Sequence, residues 1–283
     1  MKYSKFKILA IVIITFSFFT GIIGCKQPSE KKSPVGLNIE NHESNKEKYR
    51  LIILAGQSNM VGAGSKQDIE IPAVSENIEY YNFGKGMDLK KASDNSFGPE
   101  VGIMEELSKH FPKEKFILMK YAIGGASMYG WSPERDEEKV KKMGYPRFGK
   151  MSDSLFKYTS RAIKDKQVIP TAFVWMQGET DARFIKAGEE YASNFSKLIE
   201  AVRNEYKTEN LPIIFGKVNP TPKRYVGLAG LQQSQNYVND HVQDTYLVDT
   251  DGLEKRSDSL HYSSHGQLEL GHRFGKILVD LIK

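Results

Sequence analysis

Short runs of nearly unbroken hydrophobicity recur along this chain at residues 50–55, 115–121, 171–176, 212–217 and 245–249, most of them rich in β-branched or aromatic residues. A strand that is apolar on both sides must be covered on both sides, and such strands belong to parallel sheets with helices above and below. Amphipathic helical patterns lie between the runs, at 99–110, 151–166, 186–206, 228–241 and from 264 to the last residue. The alternation predicts an α/β domain with a central parallel sheet and right-handed crossovers, with a short extra strand at 77–81. No internal repeat or second regime of composition interrupts it, so 49–283 reads as one domain. Its functional crevice belongs at the carboxyl ends of the strands.

The clearest helix covers 185–206, where Tyr191, Phe195, Leu198, Ile199 and Val202 recur at three- and four-residue spacing. These side chains read as core. The last helix starts with Ser264 and Gln267, which match a Ser-x-x-Gln capping box, and then carries a wide stripe from Leu268 to Leu281.

Charge excludes one class of partner. Lys and Arg number 40 against 35 Asp and Glu. Three of those 40 (Lys2, Lys5, Lys7) sit at the N-terminus, and without them 37 face 35, too small an excess for a nucleic-acid surface. The same lysines precede an apolar run from Ile8 to Gly24, short for a spanning helix and suited to a signal-peptide core. The run ends Ile22-Ile23-Gly24-Cys25, which resembles a bacterial lipoprotein signal with Cys25 as the lipidated residue; an uncleaved anchor is the alternative. Residues 1–25 are therefore expected to be signal and lipid anchor. Residues 26–48, polar and aperiodic, are expected to be a flexible tether. The protein is expected to be exported and lipid-anchored in a bacterial cell envelope, with the membrane as a partner. As the single cysteine, Cys25 also excludes a disulfide framework and any cysteine-based metal site.

Four segments follow predicted strand ends, and the topology brings them to one crevice. They are Gly56-Gln57-Ser58-Asn59-Met60, Ala122-Ile123-Gly124-Gly125-Ala126-Ser127, Trp175-Met176-Gln177-Gly178-Glu179-Thr180-Asp181 and Asp258-Ser259-Leu260-His261. A serine hydroxyl needs a base within hydrogen-bond reach, and the base needs an orienting carboxylate. Ser58, His261 and Asp258 can supply those roles, the three-residue spacing letting the carboxylate reach Nδ1 while Nε2 faces the serine. Ser58 equally suits a helix N-cap. An oxyanion needs fixed donors, for which the Ser58 N–H, a glycine N–H from Gly124-Gly125 and the Gln177 amide are candidates. Glu179 and Asp181 admit three readings: a supporting role beside the Gln177 loop, one of them as the triad acid, or a carboxylate pair acting on a glycosidic bond. Lys120, Tyr129, Trp131 and Arg183 are expected near the crevice, Trp131 as a sugar-stacking ring or as packing. No metal-ligand spacing or phosphate loop is present, so no cofactor or metal is expected.

Together the four ordered blocks resemble the sialate O-acetylesterase / acetylxylan esterase family of the SGNH-hydrolase superfamily, over about residue 50 to the C-terminus. The resemblance implies a flavodoxin-like three-layer α/β/α fold and metal-independent removal of acetyl groups from sugars. By position, Ser58 matches the nucleophile, His261 the base, Asp258 its partner, Gly125 and Gln177 the oxyanion positions, and Glu179 a supporting glutamate. The implied partner is an acetylated saccharide. Met176, Thr180, Ala126 and Ser259 depart from the usual histidine, serine, threonine and glycine. A lipid or thioester hydrolase of the same superfamily and a non-catalytic glycan-binding lipoprotein are the rival readings.

Overall fold

The central strand β1, Lys48–Gly56, is buried along its last six residues and lies between two apolar neighbours, β4 (Phe116–Ala122) and β5 (Gln167–Met176). The computed structural model describes residues 47–66, 68–88, 96–143, 148–221 and 223–283. The expected signal segment, Cys25 and all of the tether up to residue 46 lie outside the described residues. Both neighbours run parallel to β1, and the registers pair Gly56 with Ala122 on one side and with Met176 on the other. The three strand ends are therefore level, and the turns that follow them emerge side by side.

Among the described residues, the sheet is completed by β2 (Ile78–Asn82), β3 (Lys85–Met87), β6 (Ile213–Gly216) and β7 (Thr245–Val248), in the order β3-β2-β4-β1-β5-β6-β7. All neighbours are parallel except the β2–β3 hairpin, whose turn residues Phe83 and Gly84 both have positive φ. Without that hairpin the order β4-β1-β5-β6-β7 is the flavodoxin-like 2-1-3-4-5, with its switch point at β1. The fold is the expected three-layer α/β/α sandwich, modified by the antiparallel edge strand β3. That strand was invisible in the sequence because it is three residues long and mostly exposed.

Chain order places α1 (Ser58–Val61) after β1, α2 (Glu100–His110) before β4, and α3 (Met128–Trp131), α4 (Glu137–Met143) and α5 (Met151–Ala162) before β5. Then come α6 (Ile185–Glu189), α7 (Tyr191–Glu205), α8 (Leu228–His241) and α9 (Ser264–Ile282). One helical layer pairs α2 with α9; in the other α7 packs on α8. Glycines bring α2 and α9 together: a Cβ on Gly102 would sit 2.3 Å from the Leu268 carbonyl oxygen, and one on Gly271 would sit 2.2 Å from that of Pro99.

Several boundaries differ from expectation for identifiable reasons. β5 starts at Gln167, not 171, because residues 167–170 pair with 48–51; the register shifts between Leu51 and Ile52, where Pro170 gives way to an extra residue, Thr171. The helix expected over 185–206 breaks at Glu190, whose carboxylate accepts from the Tyr129 hydroxyl (2.6 Å) and Lys139 Nζ (2.8 Å). Its apolar stripe is buried as expected, on α7. The final helix is capped one residue earlier than expected. Ser263 is the N-cap and its Oγ accepts from the Gly266 N–H, while the Ser264 hydroxyl is engaged with the Lys66 backbone.

Candidate active site

At the end of β1, Gly56 has φ +149, and a Cβ there would lie 2.0 Å from the Met176 carbonyl oxygen. Only glycine lets β1 and β5 stay this close while the chain turns. Gln57 N–H then donates to that carbonyl at 2.9 Å, and Ser58 opens the one-turn helix α1. The hydroxyl is thus presented at the switch point of the sheet.

His261 Nε2 lies 3.0 Å from Ser58 Oγ, and His261 Nδ1 lies 2.6 Å from Asp258 Oδ2. The other Asp258 oxygen accepts the backbone N–H groups of Leu260 (2.9 Å) and His261 (3.0 Å). These contacts hold the Asp258 carboxyl below its ordinary pKa, against the opposing effect of partial burial. An ionised carboxylate on Nδ1–H leaves Nε2 free to accept the Ser58 proton, so the three groups can activate a nucleophile. Gly64 lets the histidine loop approach, since a Cβ there would lie 2.2 Å from the Tyr262 carbonyl oxygen.

A crevice of about 300 Å³ opens beside Ser58 and His261, lined also by Gly124, Gly125, Glu179, Thr180, Arg183 and Arg224. Gly125 has φ +72, and neither its N–H nor that of Ser58 has an acceptor among the described residues. Two unpaired donors on the crevice wall can receive a developing oxyanion. A larger groove of about 800 Å³ lies between α7 and α8, but it is open and contains no histidine.

Gln177 departs from its expected role. Its side chain is fully buried, and Nε2 faces Asp181 Oδ2 (2.5 Å), the Ala126 carbonyl (2.9 Å) and Gln57 Oε1 (3.2 Å). An amide nitrogen has two hydrogens, and its two shortest contacts are to Asp181 and Ala126, neither of which lines the crevice. Gln177 therefore braces the loops instead of lining the crevice. Asp181 belongs to the same brace and also accepts the Met128 N–H at 3.0 Å.

Glu179 is 3% exposed; Oε1 accepts from Asn59 Nδ2 at 2.5 Å and Oε2 has no partner. Burial pushes its carboxyl pKa up. Asp181 does not line the crevice, so the two carboxylates do not flank a bond placed in it. Thr180, at a position where serine is usual, donates its hydroxyl to the Gly125 carbonyl at 2.9 Å, a contact that serine could also make.

Of the four side chains expected near the crevice, only Arg183 lines it. Trp131 is fully buried, edge-on to Trp175 with ring centroids 5.1 Å apart, and is packing. Tyr129 bonds to Glu190, and Lys120 forms a buried pair with Glu100 at 2.6 Å. Sequence reasoning missed Arg224, which lies in the long connection between β6 and α8, and Asn59, treated as part of a turn. No group of three or more His, Cys, Asp or Glu among the described residues could hold a metal ion.

The sheet order and the serine–histidine–aspartate geometry together define an α/β hydrolytic enzyme of the SGNH type. Residues 48–280 match the model of a family described as carbohydrate esterase, sialic acid-specific acetylesterase, and the chain belongs to that family. It is a carboxylic ester hydrolase of the carbohydrate esterase kind. Among similar proteins is the probable carbohydrate esterase At4g34215 of Arabidopsis thaliana, 23% identical over 253 residues, covering 78% of this chain and 87% of the relative. The solved structure of that Arabidopsis thaliana protein superposes with a TM-score of 0.67 at 21% identity, covering 83% of this chain and 98% of the other. NanS superposes with a TM-score of 0.60 at 15% identity, covering 83% and 98%. A carbohydrate acetylesterase from Xanthomonas citri, XAC1771, gives 0.58 at 15% identity, covering 80% of this chain and 55% of that one.

Proposed function

We propose that the protein removes acetyl groups from a carbohydrate through an acyl-enzyme on Ser58, and that the sugar carries a negative charge. The observation that carries the mechanism is the Ser58–His261–Asp258 relay, at 3.0 Å and 2.6 Å, opening onto a crevice with unpaired backbone N–H groups. Ser58 Oγ attacks the acetyl carbonyl carbon as its proton passes to His261 Nε2. The Ser58 and Gly125 N–H groups receive the oxyanion. Collapse breaks the bond to the sugar oxygen, which takes the proton from His261. Water, deprotonated by the same nitrogen, then attacks the acetyl-serine; acetate leaves and Ser58 recovers its proton. The crevice is short and lined by arginines, Glu179 and Thr180, which favours an acetyl group over a long acyl chain.

Arg183 and Arg224 support the charged-substrate reading. Both residues line the crevice, and the Arg183 guanidinium has no acceptor among the described residues. A planar guanidinium is suited to a carboxylate, and the family description names sialic acid, a carboxylated sugar. Export and anchoring through Cys25 complete the proposal, on the strength of the lipoprotein-like signal at the N-terminus.

The test is acetate release by purified protein from O-acetylated sialic acid, acetylated xylan and 4-nitrophenyl acetate. Ser58→Ala and His261→Ala should each lose at least about 10³-fold in kcat with the circular dichroism spectrum unchanged; retained turnover in either would rule out the mechanism. Arg183→Ala combined with Arg224→Ala should lose at least about tenfold more on the acidic sugar than on the neutral ester. Equal losses would remove the charge argument.

A further inference from the structure

The nucleophile and the base lie 203 residues apart in the chain, and α1 is a single helical turn whose N-cap residue, Gln57, makes no side-chain bond to the helix's own N–H groups. Something other than α1 must set their separation. The side chain next to Ser58 does this work geometrically. Asn59 Nδ2 lies 3.3 Å from the Leu260 carbonyl oxygen, and Asn59 Oδ1 accepts the Tyr262 N–H at 3.2 Å. Leu260 and Tyr262 are the residues on either side of His261, so one amide grips the backbone before and after the base. The second Nδ2 hydrogen goes to Glu179 Oε1 at 2.5 Å. Asn59 is 1% exposed, and each end of its amide is engaged.

Resting on the reading of Ser58 and His261 as nucleophile and base, we propose that Asn59 is a positioning residue that sets the Ser58–His261 distance, with Glu179 as its anchor. Asparagine is the side chain this position requires. Aspartate would turn a carboxylate toward Glu179 Oε1 and the Leu260 carbonyl, and alanine would leave Tyr262 N–H, Leu260 C=O and Glu179 without their partner. Glu179 fits the anchoring role because it is buried and its Oε1 meets the Asn59 amide at 2.5 Å. An acceptor out of water makes a stronger hydrogen bond, one that holds the amide in one orientation. The Gln57 side chain, on the other side of Ser58, accepts from Gly178 N–H and Thr180 N–H at 3.3 Å. The two neighbours of the serine thus tie it to different loops, Gln57 to the loop after β5 and Asn59 to the histidine loop.

Misplacing a reacting group by about 1 Å costs on the order of 10²-fold in rate, and that is the size of effect to look for. The experiment measures kcat and KM on 4-nitrophenyl acetate, the rate constant for fluorophosphonate labelling of Ser58, and the melting temperature. The variants are Asn59→Asp, Asn59→Ala, Glu179→Ala and Glu179→Gln in the full chain. Both Asn59 variants should lose about 10²-fold in kcat and in labelling rate together, with KM within about threefold. Glu179→Ala should follow in the same direction, while Glu179→Gln, which keeps an oxygen for the Asn59 amide, should retain most of the activity. A merely structural role would lower the melting temperature with kcat and labelling preserved below it, and would overturn the proposal. So would a loss expressed in KM, or Glu179→Gln falling as far as Glu179→Ala. If the Asn59 variants do not fold, the Glu179 pair decides. Failure of the underlying reading shows separately, as turnover retained by Ser58→Ala or His261→Ala.

Discussion

Ser259 sits between Asp258 and His261 with φ +56, in the left-handed region that L-residues with a Cβ avoid. Glycine is usual at this position of the family pattern, and the backbone explains why. The strain persists because the turn is over-determined: Asp258 Oδ1 caps Leu260 and His261, and the Ser259 N–H donates to Arg256. Ser259→Gly should relieve it and stabilise the folded state by about 0.5–1 kcal/mol, after the extra chain entropy glycine brings to the unfolded state. Urea denaturation monitored by tryptophan fluorescence would read this directly, and a loss of stability would show that φ +56 is not a strained conformation here. The residue scale also holds the clearest misreading. Gln177 at the end of an apolar strand must find partners; the sequence expectation placed them in the crevice, whereas the nearest are Asp181 and Ala126 outside its lining, with Gln57 at its wall.

At the scale of elements, the crevice depends on two loops, after β4 and after β5, and Asp181 joins them. Its carboxylate accepts from Gln177 Nε2 and from the Met128 N–H, and its pKa is pushed up to about 7, chiefly by burial, with the hydrogen bonds opposing. A folded-state pKa above the unfolded value of about 3.8 means that the native protein holds this proton more tightly. The stability it contributes is therefore fully present below about pH 3.8, declines as pH rises toward about 7, and changes little beyond. Glu179 is shifted in the same sense, whereas Asp258, held low, loses its contribution as pH falls below the usual carboxylate range. Asp181→Asn should flatten the fall in melting temperature between pH 5 and pH 7.5. If calorimetry found the same slope in both proteins, Asp181 would not be the group responsible. The element scale also shows why the helix at 185–206 was misjudged in length but not in face. Periodicity reports which side is buried, and the break falls at Glu190, whose carboxylate is held by Tyr129 and Lys139, side chains far away in sequence.

At the scale of the whole molecule, the proposed anchor predicts that fatty-acid label supplied to expressing bacteria enters the protein, and that Cys25→Ala abolishes both label and sedimentation with membranes. Soluble, unlabelled wild-type protein would count against it. For the catalytic domain, the sequence by itself determined the layered architecture, because strands covered on both faces must be apolar throughout and their alternation with amphipathic helices admits few topologies. It also determined which segments meet, because residues that follow parallel strands gather at one edge of the sheet; Ser58, Gly125 and His261 all reached the crevice in this way. The capping residue, the split helix, the hairpin strand β3 and the destination of each polar side chain were decided only by the tertiary structure. Which way a buried amide points depends on acceptors contributed by distant segments, and sequence spacing carries no record of those distances. Asn59 and Gln57 are the plainest instances: both read as turn residues around a serine, and each proves to be tied to a loop more than a hundred residues away.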